Sequence, residues 1–88
     1  MNHSDEAAYW KGVADKLYSQ DVGERGWAAH VLAVDFPKEE KSNLARALEH
    51  CDPSKLKERV AFLAEHDEDS YTGSECLHIL KNWNDDHA

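Results

Sequence analysis

The sequence predicts an all-α protein, a compact bundle of four to five short helices that forms a single domain over residues 1–88. Three observations indicate this class. Apolar residues recur at the three- and four-residue spacing of helices and do not alternate as in a half-buried strand. Proline, glycine and aspartate punctuate the chain at intervals typical of short helices. Hydrophobic residues make up 41% of the 88 residues, enough for one modest core at this length.

The first helix is predicted over residues 5–19, with Ser4 as its N-cap. Asp5 and Glu6 then lie at the positive end of the helix dipole, where negative side chains are favourable. One face of this helix carries Trp10, Val13, Ala14 and Leu17.

The second helix is predicted to follow a turn over residues 21–26 and to occupy residues 24–34. Its core-facing register contains Trp27, Val31 and Val34. Leu32 lies on the flank of this face, and His30 is expected to be partly buried and hydrogen-bonded.

The third helix is predicted to open near Pro37, because proline ends the preceding helix and suits the first turn of the next. It extends to about His50. Its apolar stripe contains Leu44, Leu48 and Cys51.

Asp52 and Pro53 predict the start of the fourth helix, since an aspartate cap followed by proline is a strong start signal. Its apolar seam contains Leu56, Val60 and Leu63, with Ala64 beside it. Phe62 lies outside this seam, so the helix is expected to bury two faces.

A charged loop is predicted over residues 67–73, followed by a last helix that Thr72 and Glu75 begin as a capping box. The inner face of this helix contains Cys76, Ile79, Leu80 and Trp83. Tyr71 is then an exposed aromatic residue in a polar loop.

Charge is distributed unevenly along the chain, whose formal net charge is −8. From residue 65 onward Lys81 is the one basic residue, against Glu65, Asp67, Glu68, Asp69, Glu75, Asp85 and Asp86. A field of this sign repels nucleic acid and acidic membranes and attracts basic surfaces. We therefore expect a protein partner with a basic surface and no direct nucleic-acid or membrane binding.

The sequence gives no support for catalysis or for a cofactor. It contains no Gly-rich phosphate loop and no G-x-S-x-G or H-E-x-x-H motif. A zinc site is disfavoured by ligand spacing in the pairs His50-Cys51 and Cys76/His78. The loop over residues 67–73 departs from the EF-hand pattern. Cys51 and Cys76 are expected to be reduced, core-facing thiols, with a disulfide as the alternative.

We expect the protein to be cytoplasmic. The chain has no apolar run near the length of a membrane span, and its first residues lack the basic and apolar regions of a signal peptide.

The stretch from Thr72-Gly73 to Leu80-Lys81-Asn82-Trp83 resembles the last part of the colicin-type nuclease immunity proteins. That family's central tyrosine-rich segment has no counterpart in this chain. The resemblance implies a small acidic helical inhibitor of a nuclease, and it does not extend beyond this stretch.

These observations predict a small acidic non-enzymatic protein that binds and inhibits or regulates a basic protein target. An immunity-like protein, a phage or mobile-element inhibitor and a nucleic-acid mimic are members of this class. The predicted contact residues are Asp67, Glu68, Asp69, Tyr71, Glu75, Asp85 and Asp86. The alternative is a structural or adaptor domain that forms a homodimer through exposed apolar residues such as Phe62 and Leu32; the first interpretation allows a monomer or a homodimer.

Overall fold

A computed structural model describes residues 3–34 and 42–83, and its side chains from Asp5 onward. Within these ranges the chain forms helices and no strand, which confirms the predicted all-α class. The five helices of the described ranges are α1 (His3–Lys16), α2 (Val22–Ala33), α3 (Asn43–Leu48), α4 (Pro53–His66) and α5 (Ser70–Lys81). None of them has the length and apolar character needed to cross a membrane.

The first two helices begin earlier than the sequence predicts. α1 already includes Ser4, so the prediction of a cap at this residue is wrong. α2 begins at Val22, because the Asp21 side chain accepts a hydrogen bond from the Gly23 backbone N–H at 3.2 Å and caps the helix. The predicted turn over residues 21–26 is therefore the cap and first turn of α2.

α3 is shorter than the predicted third helix. Ser42 has an extended backbone, and its hydroxyl accepts a hydrogen bond from the Ala45 N–H at 3.1 Å. The helix therefore begins at Asn43, and the predicted start at Pro37 lies outside the described residues. The Asn43 side chain donates to the Val31 carbonyl oxygen at 2.8 Å, which fixes the start of α3 against α2.

The predicted start of α4 is confirmed. Asp52 Oδ1 accepts hydrogen bonds from the backbone N–H groups of Ser54 at 2.9 Å and Lys55 at 3.3 Å. Pro53 occupies the first turn, where its missing N–H leaves no helical bond unmade. The seam is confirmed as well, because α4 buries Leu56, Val60 and Leu63.

α5 packs against both α2 and α4 and occupies the centre of the bundle. Glycine allows the close approach of α2 to α5, because a Cβ atom added at Gly26 of α2 would lie 3.2 Å from Thr72 Oγ1 of α5. A Cβ added at Gly73 of α5 would lie 3.7 Å from the carbonyl oxygens of Leu63 and Ala64 in α4, an ordinary van der Waals distance. The three helices therefore form a tight unit that positions the surface of α2 and α5.

The predicted register of α2 is wrong. Trp27 is 44% exposed, and Val31 and Val34 are only partly buried. The buried face contains Arg25, Gly26, Ala28, Ala29 and Leu32. Small residues occupy most of this face because α2 lies close to α5, and an indole ring does not fit in that space.

The two cysteines are free thiols, as predicted. Cys76 is fully buried, whereas Cys51 is partly buried and its thiol lies 3.6 Å from the Trp10 carbonyl oxygen. Trp83 packs against the core, also as predicted. The largest fully buried side chains of the described core are Leu17, Leu63, Ile79, Val13, Val60, Thr72 and Cys76.

Candidate functional site

Part of the negative charge of the loop between α4 and α5 is paired inside the protein. The Asp67 side chain has 0% exposure and accepts a hydrogen bond from Arg25 Nε at 2.8 Å. It also accepts the Asp69 backbone N–H at 2.9 Å. Burial alone would raise the pKa of Asp67, but these hydrogen bonds and the charges of Arg25 and Arg59 lower it below its usual value. Asp67 is thus an ionised internal partner of Arg25.

Arg25 joins the start of α2 to this loop. Its side chain is 10% exposed, and its Nη1 donates to the Ser19 carbonyl oxygen at 2.9 Å. Its Nη2 lies 3.8 Å from the Glu68 carboxylate. The hydrogen bond to Asp67 raises the pKa of Arg25 in spite of burial. The Arg25 guanidinium is therefore held in the interior and does not lie on the surface between α2 and α5.

Asp69 begins α5. Its Oδ2 accepts hydrogen bonds from the Thr72 N–H at 3.2 Å and the Thr72 hydroxyl at 2.8 Å. The predicted capping box of Thr72 and Glu75 is therefore wrong, because an aspartate three residues earlier caps the helix and Thr72 is buried in its first turn. Since α5 begins at Ser70, Tyr71 lies on a helix and not in a loop.

Tyr71, His30 and Glu75 form a hydrogen-bonded cluster across α2 and α5. His30 Nδ1 lies 2.9 Å from the Tyr71 hydroxyl oxygen and 3.2 Å from Glu75 Oε2. A neutral ring with its proton on Nε2 accepts the Tyr71 hydroxyl proton at Nδ1, whereas a ring protonated at Nδ1 donates to Glu75. The His30 side chain is 53% exposed, so the prediction of hydrogen bonding is confirmed and that of burial is not.

An open groove of about 430 Å³ lies between α2 and α5, next to this cluster. Trp27 and Tyr71 line it and are 44% and 50% exposed. The buried Gly26 lies beneath Tyr71, since an added Cβ would be 3.7 Å from the tyrosine ring. We call this site the aromatic groove, which is lined by Val22, Gly23, Gly26, Trp27, His30, Asp69 and Tyr71.

The aromatic groove lies beside the N-termini of two helices, and both are capped by aspartates, Asp21 and Asp69. A helix N-terminus carries roughly half a positive charge, so each carboxylate leaves its helix end net negative. Glu75 adds a third carboxylate beyond His30. Among the described residues that line the groove there is no lysine or arginine. The groove is therefore apolar and aromatic within a negative field.

The structure separates the predicted contact residues into groups. At or beside the aromatic groove it places Asp69, Tyr71 and Glu75. Glu68 is on the adjoining loop, with its side chain 85% exposed. Asp67 is enclosed and presents no carboxylate surface. Outside the described residues are Asp85 and Asp86.

The sequence prediction missed Trp27, Val22 and His30 as site residues. Helical spacing to Val31 placed Trp27 in the core, and the glycines nearby suggested a turn at Val22. The signal that identifies them is the group of small residues Gly26, Ala28 and Ala29, which is typical of a helix in close contact with a neighbour. A large aromatic side chain within such a group has to lie outside the contact.

A second group of exposed aromatic side chains lies on α4 and just beyond the C-terminal end of α1. The Arg59 guanidinium lies 4.7 Å from the Tyr18 ring centroid and 5.0 Å from that of Phe62. Its Nε donates to the Leu17 carbonyl oxygen at 2.9 Å. Phe62 also stacks on His66 at 4.9 Å between ring centroids. We call Tyr18, Arg59, Phe62 and His66 the Arg59 cluster.

The described residues offer little for metal or thiol chemistry. Within residues 3–34 and 42–83 no three side chains of His, Cys, Asp or Glu are placed to hold a metal ion. Burial raises the pKa of the Cys76 thiol to about 12 and that of Cys51 above its usual value. Both thiols are therefore protonated, weak nucleophiles at neutral pH.

No family model matches the sequence, and no curated protein or solved structure matches the chain. The arrangement of side chains at the aromatic groove is therefore the basis for a functional assignment.

Proposed function

We propose that this protein is a non-enzymatic binding protein whose aromatic groove and surrounding carboxylates dock on a basic surface of another protein and thereby inhibit or regulate that protein. The observation that carries the proposal is the exposure of Trp27, Tyr71 and Val22 along one groove between α2 and α5.

Large aromatic side chains at the centre of a surface patch supply most of the binding energy in protein interfaces, and Trp and Tyr are the most frequent anchors. Trp27 and Tyr71 fit this role because both are about half exposed, and the Tyr71 ring packs over Gly26 where α5 lies close to α2. A rigid anchor loses little conformational entropy when a partner covers it.

The charges around the groove favour a basic partner. The chain carries a formal net charge of −8, Asp69 lines the groove, and the Glu75 carboxylate lies 3.2 Å from His30. Complementary charge speeds association and selects against acidic surfaces. Nucleic acid and acidic membranes are disfavoured as partners for the same reason.

The internal contacts of the loop favour an aromatic-anchored interface over nucleic-acid mimicry. Mimicry requires a row of free carboxylates spaced like phosphates, but Asp67 is paired with Arg25 and Asp69 caps α5. In this loop Glu68 alone keeps a largely exposed carboxylate.

Assembly into a homodimer is the second candidate. Leu32 is 3% exposed, so it is part of the core and not of a dimer surface as the sequence suggested. Phe62 is 51% exposed, but its ring already contacts Arg59 and His66. Exposed apolar side chains that remain for a dimer include those of the aromatic groove and Tyr9 and Leu77 elsewhere, so light scattering is a direct test.

The test begins with affinity capture of a partner from the organism that encodes the protein, followed by binding measurements with both proteins purified. We expect Tyr71→Ala to weaken binding by about 30-fold, the effect of losing a hot spot of about 2 kcal/mol. Replacing Glu75 by lysine is expected to slow association and to reduce its dependence on salt.

Phe62→Ala is the matched control, because Phe62 has nearly the same exposure as Tyr71 and does not line the aromatic groove. The proposal predicts that this control leaves affinity unchanged. A purified partner that binds Tyr71→Ala and the charge-reversed variant as tightly as the parent protein would contradict it. A stable dimer at high salt that Tyr71→Ala dissociates would favour the homodimer instead.

A further inference from the structure

In the Arg59 cluster, an arginine of the protein itself makes cation–π contacts with two exposed aromatic rings. Arg59 reaches across Tyr18 and Phe62 with its guanidinium within 5.0 Å of both ring centroids. At such distances the ring quadrupole attracts the cation, and the planar guanidinium stacks on the ring face.

The aromatic groove has the same kind of rings and more negative charge, but none of its described lining residues is a lysine or arginine. The nearest arginine on α2 is Arg25, whose guanidinium is held in the interior by Asp67 and the Ser19 carbonyl oxygen. The groove thus presents aromatic walls and carboxylates to an external cation.

We propose that the aromatic groove receives an arginine side chain of the partner protein, stacked on Trp27 and Tyr71 and hydrogen-bonded to Glu75. This inference rests on the proposed function and specifies the chemistry of the partner's central contact. The groove is too open to enclose a free small molecule, and it suits one side chain that a larger partner delivers.

Arginine fits the groove better than lysine does. Its guanidinium is planar and weakly hydrated, so it stacks on aromatic rings while its N–H groups reach a carboxylate. Lysine carries a compact, strongly hydrated charge that gains less from an open aromatic surface.

The His30 cluster accommodates such a ligand. When a guanidinium N–H replaces His30 as the donor to Glu75, His30 Nδ1 is left to accept the Tyr71 hydroxyl proton at 2.9 Å. Tyr71 then keeps a hydrogen-bonded partner within the protein while its ring faces the ligand.

The test uses an acetylated and amidated pentapeptide with a central arginine flanked by glycines. Titration into the labelled protein at constant ionic strength is followed by NMR at the Trp27 indole N–H and at the amides of Gly26 and Tyr71. We expect saturable shifts with a dissociation constant on the order of 10 mM. The citrulline peptide, which has the same shape and no charge, should bind roughly fivefold more weakly, and the lysine peptide should fall between them.

Three variants locate the site. Tyr71→Ala and Trp27→Ala are expected to abolish the shifts, whereas Phe62→Ala should leave them unchanged. Val22→Arg gives the groove a cation of its own, so it should also abolish the shifts. Unchanged far-UV circular dichroism of each variant shows that the fold is retained.

Equal shifts with arginine and citrulline peptides, shifts that map to Phe62 and Tyr18, or no shift at the groove would each overturn the inference. Failure here is distinguishable from failure of the proposed function. A partner that loses affinity with Tyr71→Ala, while the arginine peptide causes no shift at the groove, refutes the arginine contact and leaves the docking face intact.

Discussion

The aromatic groove and the Arg59 cluster expose aromatic side chains to nearly the same extent. Tyr71 is 50% exposed and Phe62 is 51% exposed. They differ in what lies on the rings. Arg59 covers the Tyr18 and Phe62 rings from within the same chain. The groove has carboxylates at its edge and no lysine or arginine among its described lining residues.

Exposed aromatic area alone therefore does not identify an interface. The informative quantity is whether the protein already supplies the contacts that a ring can make. By that measure the rings of the Arg59 cluster already have a cation from the same chain, whereas the described lining of the aromatic groove supplies none.

Asp67 keeps the Arg25 guanidinium away from the aromatic groove. Its replacement is expected to have the largest effect on the free energy of unfolding. It holds Arg25 in the interior, and the charge of Arg59 also acts on it. Asp67→Asn should lower the free energy of unfolding by about 3 kcal/mol, because the buried Arg25 then lacks its charged partner. Urea unfolding followed by circular dichroism measures this. Glu68→Gln is the exposed control and should change stability by less than about 0.5 kcal/mol.

The same pair gives stability a defined pH dependence. The pKa of Asp67 is lower in the folded protein than in the unfolded chain. Its stabilisation is therefore fully present above the unfolded value of about 3.9 and is lost as pH falls through the folded value. The stability difference between the parent protein and Asp67→Asn should be constant at neutral pH and shrink in acid. A difference that stays constant down to about pH 2 would show that Asp67 acts through its shape and not its charge.

Arg59→Met should leave the Tyr18 and Phe62 rings without a cation from the same chain. The variant loses a charged hydrogen bond to the Leu17 carbonyl oxygen and two cation–π contacts, so we expect a loss of about 2 kcal/mol in unfolding free energy. The arginine peptide should then also shift resonances at Tyr18 and Phe62. If those residues stay silent while the groove still binds, carboxylates and not rings decide where a cation binds.

The sequence was a good guide to the parts of the fold that depend on local chemistry. Asp52 and Pro53 begin α4 as predicted, and the seam of Leu56, Val60 and Leu63 is buried. These features depend on residues close in the chain, where capping and helical periodicity act.

The register of α2 was not predictable in the same way. It depends on how closely α2 approaches α5, which is a property of two distant segments, and Trp27 lies outside the core. The start of α5 is local, since Asp69 caps it through Thr72, and the prediction chose the wrong one of two neighbouring cap signals. The candidate site was predicted in part, since Tyr71 and Glu75 adjoin the groove, but its Trp27 wall required the packed structure.

A pair of glycine substitutions gives the smallest predicted effect and tests the close contact below the groove. A Cβ at Gly12 in α1 meets nothing within 4 Å, so Gly12→Ala should stabilise the protein by about 0.5–1 kcal/mol through helix propensity. Gly26→Ala has the same propensity gain, but its Cβ lies 3.2 Å from Thr72 Oγ1, whose hydroxyl is bonded to Asp69. That crowding should cancel or reverse the gain.

The two variants are compared by urea unfolding and by the NMR signals of the Tyr71 ring. Gly26→Ala should move these signals, because the new methyl group lies 3.7 Å from the ring, and Gly12→Ala should not. Equal stabilisation by both substitutions, with the Tyr71 signals unmoved, would mean that α2 and α5 separate readily. The aromatic groove would then lack the rigid base that makes Tyr71 an effective anchor for a partner.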